Sequence, residues 1–360
     1  MSKKKLVNPD TEKGLALEIA HMYYSDKRIT QKNVAQIFGM QQSQVSELLD
    51  KCKSEKWVTT VIESISYNEI TENILNKINS ELVHNIHIVP QKMNSKKNEK
   101  NIADRTAKRI KEILSLLLQN TSSKPIKLGI GGGVTIEKTI DYFSELVLSD
   151  KQLQSALSNR GLDIYPIILQ CGFDMDQNDS YRLMLNTFIT MSKLLSNVKV
   201  HVANLPKNYK DIPQSKKDVI LEYYGFNGEL KDACSCDIYL VGVGSTNDAL
   251  TKIYSRNYTD DHKSLMRNMP VVNYQPIGAN GNTFDNFDKK VVGLSIGQLR
   301  KIASNSEQYV IALGGGSSKV KSFPAIFEFP FYNELVTDVE CVYYYLEGSK
   351  PYYKTVYEFE

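Results

Sequence analysis

From Pro125 to the end of the chain, short apolar runs alternate with stretches of helical periodicity. Ile126–Ile130 precedes a helix from Val134, and Ile164–Leu169 precedes one over Tyr181–Leu195. Val198–Ala203 and Ile238–Val243 read as further strands. Val291–Leu294 leads into a helix from Ile296, Tyr309–Leu313 into one from Ser318, and Leu335–Val336 closes the series. Strands that alternate with helices predict an α/β fold, a doubly wound parallel sheet with helices on both faces. Right-handed crossovers in such a sheet put ligands at the carboxyl ends of the strands.

Three of those ends are rich in glycine: Gly129–Thr135 (GIGGGVT), Gly242–Thr246 (GVGST) and Gly314–Lys319 (GGGSSK). Without a Cβ, glycine lets backbone N–H groups turn toward an anion, and the helix that follows adds partial positive charge. Gly131, Gly132, Gly133 and Gly244 supply backbone. Thr135, Ser245, Ser317 and Ser318 supply hydroxyls, and Lys319 a full charge. Together they predict a phosphate-sized anion site, although a single cluster of this kind also serves an ordinary tight turn. The familiar nucleotide motifs fail. GGGSSK has serine where a Walker loop needs glycine before lysine. Gly242-x-Gly244-x-x-Asn247 lacks the third glycine of a dinucleotide fingerprint. No cofactor is therefore expected. The polar loop Ile277–Asp285 (IGANGNTFD) lies between the second and third clusters, and its Asp285 either accepts hydrogen bonds from sugar hydroxyls or caps a turn. Asp338 reads as the N-cap of a last helix.

The front of the chain has a different organisation. Thr30–Lys53 parses as two short amphipathic helices joined at Gly39, with Val34, Ala35, Ile37 and Phe38 on the apolar face of the first and Val45, Leu48 and Leu49 on that of the second. A small residue, a glycine four further on and an apolar residue six beyond that form the signature of a helix-turn-helix. Thr30 is placed to cap the first helix. In this motif the N-terminal residues of the second helix face base edges. These are Gln41, Gln42, Ser43 and Gln44, with Ser46 following, and Gln31 and Lys32 open the first helix. Gln pairs with adenine in a bidentate way. Lys32, Lys51, Lys53 and Lys56 are spaced to reach phosphates. A helix over Gly14–Asp26 precedes the motif. The alternation of WVTTVIESI reads as a strand or wing that would present Thr59 and Thr60 to a backbone.

Between the two regions Ile70, Ile74, Ile78 and Leu82 fall four apart, a helix with one narrow apolar seam that either meets its twin in a dimer or packs on its own chain. HNIHIVP reads as a buried strand and QKMNSKKNEKN as an exposed loop, after which Ile102–Leu117 restarts a helix. The resulting division is 1–65 for the helix-turn-helix domain, 66–83 for a linker helix and 84–360 for the α/β domain. At 360 residues there is room for two cores. The net charge of +3 does not by itself imply nucleic acid. Lys3, Lys4 and Lys5 are not followed by an apolar run, so no signal peptide is read, and no apolar stretch is long enough for a bilayer. Five scattered cysteines suit a reducing cytoplasm. His84 and His87 are joined by no carboxylate or cysteine pattern, so no metal site is expected.

In this order, a helix-turn-helix, a linker helix, then GIGGGVT, CDIYLVGVG, IGANGNTFD, VVGLS, ALGGGSSK and ELVTD, the chain resembles the SorC/DeoR-type sugar-binding transcriptional regulators of bacteria from about Leu15 to Leu346. The resemblance implies an N-terminal winged, DNA-binding domain and an effector domain similar to phosphosugar isomerases. It implies a phosphorylated sugar as effector, double-stranded operator DNA as partner, and a homodimer or homotetramer. Carried over by position, Gly131, Gly132, Gly133 and Thr135 match the first phosphate-side loop, and Gly244, Asp285 and Lys319 match later ligand-side positions. The triple glycine and ANGNTFD depart from the usual family pattern at those places. The chain also carries extra loop around Asn94–Asn101 and Asn204–Ser215. A regulator is thus expected rather than an enzyme; the alternative is a sugar-phosphate isomerase or deaminase with an appended helical domain. For that chemistry Asp285 is the lone candidate base.

Overall fold

A computed structural model of the chain describes residues 12–25, 29–55, 57–62, 67–90, 95–120, 122–170, 180–201, 213, 216, 219, 231–246, 268–278, 281, 283, 292–348 and 355–359. It divides into two compact units, Met1–Ser66 together with Tyr352–Glu360, and Tyr67–Pro351.

The first unit contains α1 (Glu12–Ser25), α2 (Gln31–Phe38), α3 (Gln42–Ser54), β1 (Val58–Ile62) and the last strand of the chain, β13 (Thr355–Phe359). α2 starts where Thr30 and Asn33 cap each other: Asn33 N donates to Thr30 Oγ1 at 3.2 Å, and Thr30 N to Asn33 Oδ1 at 3.0 Å. It stops at Gly39, whose φ of 64° is the left-handed cap that a side chain resists. Ala16, Ile19, Ala20, Val34, Ala35, Val45, Leu49 and Cys52 form the core of the three helices. Ile37, expected on the apolar face, is instead 62% exposed. The buried stripe of α2 is Val34–Ala35 with Phe38 beside it, and Ile37 lies roughly 100° around the helix from its centre at 3.6 residues per turn. The strand expected after α3 is present as β1. Its partner comes from the far end of the chain: β13 runs antiparallel to it, from Val58↔Phe359 to Ile62↔Thr355. The last residues thus group with the first unit, whereas the sequence assigned them to the second.

The second unit begins with α4 (Tyr67–Ile78), β2 (Asn85–Val89), α5 (Ser95–Gln119), β3 (Ile126–Ile130), α6 (Val134–Ser149), α7 (Lys151–Arg160), β4 (Leu162–Pro166), β5 (Ile168–Gln170), α8 (Ser180–Ser192) and β6 (Val198–Val200). It continues with β7 (Ile238–Ser245), β8 (Pro270–Val272), β9 (Gln275–Pro276), β10 (Val292–Gly293), α9 (Ile296–Ala303), β11 (Tyr309–Leu313), α10 (Phe323–Glu328), β12 (Glu334–Asp338) and α11 (Val339–Glu347). Seven strands lie parallel in the order β2-β12-β11-β7-β3-β4-β6. The five inner strands are buried nearly throughout, as parallel strands covered on both faces require, while the edge strands β2 and β6 are only partly buried. From β3 the order proceeds to β4 and β6 on one side and to β7, β11 and β12 on the other. The switch in direction therefore falls between β3 and β7, and the three glycine-ended strands are neighbours there.

Several local expectations change. The seam of α4 is spent on its own unit: Ile70 and Ile74 are buried, the latter at 0% exposure, and α4 packs against β2 and α11, while Leu82 lies beyond the helix end. Much of the stretch read as an exposed loop after Val89 is helical, because α5 already starts at Ser95. The strand expected over Ile164–Leu169 breaks at Ile167 into β4 and β5, and β10 pairs antiparallel with β5 instead of joining the main sheet. The helix expected from Ser318 begins only at Phe323, where Pro324 occupies the first turn, the position in which its missing N–H costs nothing. Asp338 caps α11 as expected, its Oδ1 accepting from Cys341 N at 3.0 Å.

Candidate functional site

Two places gather the residues singled out by the sequence, one in each unit. In the first unit, Gln41, Gln42, Ser43 and Gln44 stand exposed at the start of α3, Lys32 is exposed on α2, and Gln31 and Ser46 are half-buried. Gln44 is already engaged: its Oε1 accepts from Gln41 N at 2.9 Å and so caps its own helix. Lys51 Nζ donates to Glu12 Oε1 of α1 at 2.7 Å, an exposed pair that a phosphate would have to displace. Gln41, Gln42, Ser43 and Lys32 are thus exposed polar residues at the starts of the two helices. Lys56 and Asp285 lie outside the described residues, as do the side chains of Thr59 and Thr60.

The second place is the switch point. The first glycine loop leaves β3 with Gly131 N donating to Leu240 O of β7 at 2.9 Å. A Cβ on Gly131 would come within 2.9 Å of that same oxygen, and one on Gly242 within 2.9 Å of Gly132 O. The two strand ends are thus pressed backbone to backbone, which is why these positions are glycine. Gly133 turns the chain at φ 122° and serves as N-cap of α6, a helix of 16 residues. The first amides of α6 have no partner within the helix, and its dipole points at the loop. Thr135 is buried in that first turn.

The second glycine end does not form a turn. β7 runs straight on to Ser245, and Val243, Gly244 and Ser245 pair antiparallel with Val272, Val271 and Pro270 of β8. Ser245 is buried there. The third end does turn, but it carries its own anion. Gly316, at φ 101°, donates its N–H to Asp338 Oδ2 at 2.5 Å, and a Cβ on Gly315 would fall 2.7 Å from that oxygen. Ser317 Oγ donates to Glu340 Oε2 at 2.9 Å. Burial pushes the Asp338 carboxyl up, against the pull of its hydrogen bonds from Cys341 and Gly316. Lys319 Nζ donates to Val243 O at 3.0 Å, so its charge sits over the β7–β11 boundary. Of the three glycine ends, then, the first forms a cradle at a helix start, with Lys319 two strands away.

What the sequence reading missed is the hairpin that folds back over this cradle. β8 and β9 are joined by Asn273 and Tyr274, both at positive φ, 48° and 61°. A Cβ on Gly132 would land on the Tyr274 hydroxyl, and one on Gly131 would lie 3.5 Å from Asn273 Oδ1. Asn273 is 4% exposed and Tyr274 8%. The available signal was an asparagine-led pair between two short apolar runs, the pattern of a two-residue hairpin turn.

Residues 78–346 match the family model described as "Putative sugar-binding domain". No curated protein sequence matches the chain. Among solved structures, the chain is similar to the full-length sorbitol operon regulator SorC from Klebsiella pneumoniae, with 17% identity and a TM-score of 0.54 over 93% of this chain and 99% of that one. It is also similar to a DeoR family transcriptional regulator from Listeria monocytogenes (17% identity, TM-score 0.56, 77% of this chain and 98% of that one). A transcriptional regulator from Streptococcus pneumoniae gives 16% identity and a TM-score of 0.55 over 78% of this chain and 97% of that one. At these identities the likeness is one of fold.

Proposed function

The chain belongs to the sugar-binding domain family over residues 78–346, and from that premise we propose that it is a DNA-binding transcriptional regulator whose second unit takes a phosphorylated sugar. The observation that carries this reading is the first glycine loop. It lies at the topological switch point and opens the helix α6 through Gly133, and two strands away Lys319 donates to Val243 O of the strand between them. Gly131, Gly132, Gly133 and Thr135 hold the phosphate, Lys319 adds charge, and Gly244, Ser245 and Asp285 belong to the sugar side. The exposed start of α3, with Gln41, Gln42 and Ser43, reads base edges; Gln31, Lys32, Gln44, Ser46 and Lys51 support that helix or reach phosphates. Two copies on a two-fold operator, as a dimer or as half of a tetramer, present two such helices. Among the described residues, the side chains that close on the loop are an amide and a phenol, neither a base at neutral pH, and this supports regulation over turnover; Asp285 lies outside those residues. Among the described residues no helix is long and apolar enough to cross a membrane, and a cytoplasmic regulator is the setting we propose.

The test has two arms. A thermal-shift panel of hexose and pentose phosphates should raise the melting temperature of the chain by mass action, and Lys319→Ala should remove that rise. Selection of duplexes from random DNA should enrich a sequence whose affinity changes when the stabilising sugar phosphate is added, by about 1–3 kcal/mol of coupling. No enrichment with or without ligand would overturn the regulator reading.

A further inference from the structure

The hairpin over the glycine cradle combines a strained turn with buried acceptors that have no partner. A two-residue turn of this kind needs positive φ at both central residues, and glycine is the favoured second residue. Here that residue is Tyr274 at φ 61°, a conformation that costs a bulky side chain on the order of 1–3 kcal/mol. The strained backbone aims the ring so that its hydroxyl lies where a Gly132 side chain would be. Beside it Asn273 is fixed from behind, its Nδ2 donating to Leu294 O at 3.2 Å, which leaves Oδ1 facing Gly131. That oxygen is buried and has no hydrogen-bond partner, and Gln275 Oε1 in the same hairpin is in the same condition. An orphaned buried acceptor costs about 1–3 kcal/mol unless something donates to it. Ionised phosphate oxygens bring only lone pairs, so they cannot satisfy either of these two carbonyl oxygens. What both oxygens lack is a hydroxyl or amino hydrogen.

We propose that the β8–β9 hairpin is the polyol-reading wall of the effector pocket, with Asn273 Oδ1 accepting a hydrogen bond from a hydroxyl of the bound sugar while the first glycine loop holds its phosphate. This rests on the effector site proposed above and adds a specificity-determining residue to it. The division of labour is chemical: the backbone amides of the first loop face the anionic end of the ligand, and the side-chain carbonyl of Asn273 faces its hydroxyl-bearing end. A site built to pair with a hydroxyl rejects an analogue that lacks it more strongly than an apolar wall could.

The test compares inorganic phosphate with fructose 6-phosphate, glucose 6-phosphate and ribose 5-phosphate, titrated calorimetrically into the intact chain. The wild type should bind at least one of the three sugar phosphates more tightly than inorganic phosphate. Asn273→Leu should lose that advantage, with affinity for the sugar phosphate falling about tenfold or more, while affinity for inorganic phosphate stays within about twofold. Asn273→Gly, which keeps the positive-φ turn, should behave the same way and guards against a misfolded leucine variant. Equal weakening of both ligands, or no weakening of the sugar phosphate, would overturn the role of Asn273 and leave the effector site standing. A wild type that holds phosphate no less tightly than every sugar phosphate also overturns it. A wild type that binds neither overturns the effector site and this inference together.

Discussion

Asp338 Oδ2 accepts the N–H of Gly316 at 2.5 Å, while Asp338 Oδ1 caps α11 through Cys341 N. One buried carboxyl therefore ties the third glycine loop to the end of the neighbouring strand β12. Asp338→Ala should lower unfolding free energy by about 1–3 kcal/mol for the amide left unpaired, with a cap worth about 0.5–2 kcal/mol lost besides; urea unfolding at pH 7 measures it. The pH dependence has a definite sign. Burial raises the folded-state pKa of Asp338 above the ordinary aspartate value of 3.8, so its contribution to stability is full below that value and declines as pH rises through the raised one. Asp338→Asn should flatten that decline in a urea series taken from pH 3 to neutrality.

Glu334, on the same strand, titrates in the opposite sense. It is buried between β2 and α5, and Arg109 clamps it with Nε to Oε2 at 2.7 Å and Nη2 to Oε1 at 2.5 Å. Burial alone would raise its pKa, but the bonds from Arg109 and from His87 at 3.4 Å bring it down to about 2. Its stabilisation is complete above the ordinary glutamate value of 4.5 and is lost as pH falls toward 2. Arg109→Ala removes the guanidinium from the buried Glu334 carboxylate, with His87 still beside it, and should cost about 3–5 kcal/mol at neutral pH. Replacing both residues by leucine should cost far less. A double replacement as damaging as the single one would mean that the pair itself holds β12 in place.

The glycine ends illustrate what the sequence could and could not disclose. That three strands end in glycine was legible, because strand and helix periodicities bracket them, and so was the parallel sheet that makes them neighbours. Their separate fates were not. Gly244 continues a strand because Val271, 27 residues later, pairs with it. Gly316 is spoken for by Asp338, 22 residues away, and no local pattern reports a contact at that separation. The same holds for Ile74, whose seam looks alike whether it meets a second copy or its own β2 and α11. Turn chemistry at Thr30, Gly39 and the Asp338 cap was legible because each acts within four residues of itself.

Close backbone approach gives a sharper test at Gly314 than at any solvent-facing glycine. A Cβ there would sit 2.6 Å from Val243 O and 2.9 Å from Val243 Cβ. Gly314→Ala must push β11 from β7 at the end where Lys319 reaches the same carbonyl. A stability loss of about 1–3 kcal/mol is expected. Gly348→Ala meets no neighbour within 4 Å and is strained only by its φ of 67°, so it should cost about 1 kcal/mol. Denaturation of the two variants side by side separates crowding from backbone strain.

In α3, proposed above to read a duplex, the structure separates two glutamines that the sequence treats alike. Gln44 caps α3 through Gln41 N, whereas Gln42 is exposed at the helix start. Gln42→Ala should weaken binding to a duplex selected from random DNA by about 1–3 kcal/mol while leaving binding to random duplex unchanged. Gln44→Ala should in addition lower the melting temperature of the free protein, because it removes a cap. Mobility shifts on both duplexes at one salt concentration, with a melting curve for each variant, tell the two roles apart. If Gln42→Ala weakens both duplexes equally, that side chain does not read bases.

The strand β13 offers a prediction that no residue near the helix-turn-helix would suggest. Five residues, Thr355–Phe359, face Val58–Ile62 in antiparallel register, and among the described strands β1 has no other partner. A lone strand beside three helices has no ladder, and its backbone amides turn to water. Truncation after Pro351 should therefore abolish hydrogen-exchange protection of the amides in 58–62. α2 and α3, whose core is Val34, Val45 and Leu49, should keep theirs. Affinity for a stabilising sugar phosphate should be unchanged, since the cradle lies in the other unit. Protection of 58–62 that survives the truncation would show that β1 is held by its own helices and that the C-terminal strand is dispensable to the first unit.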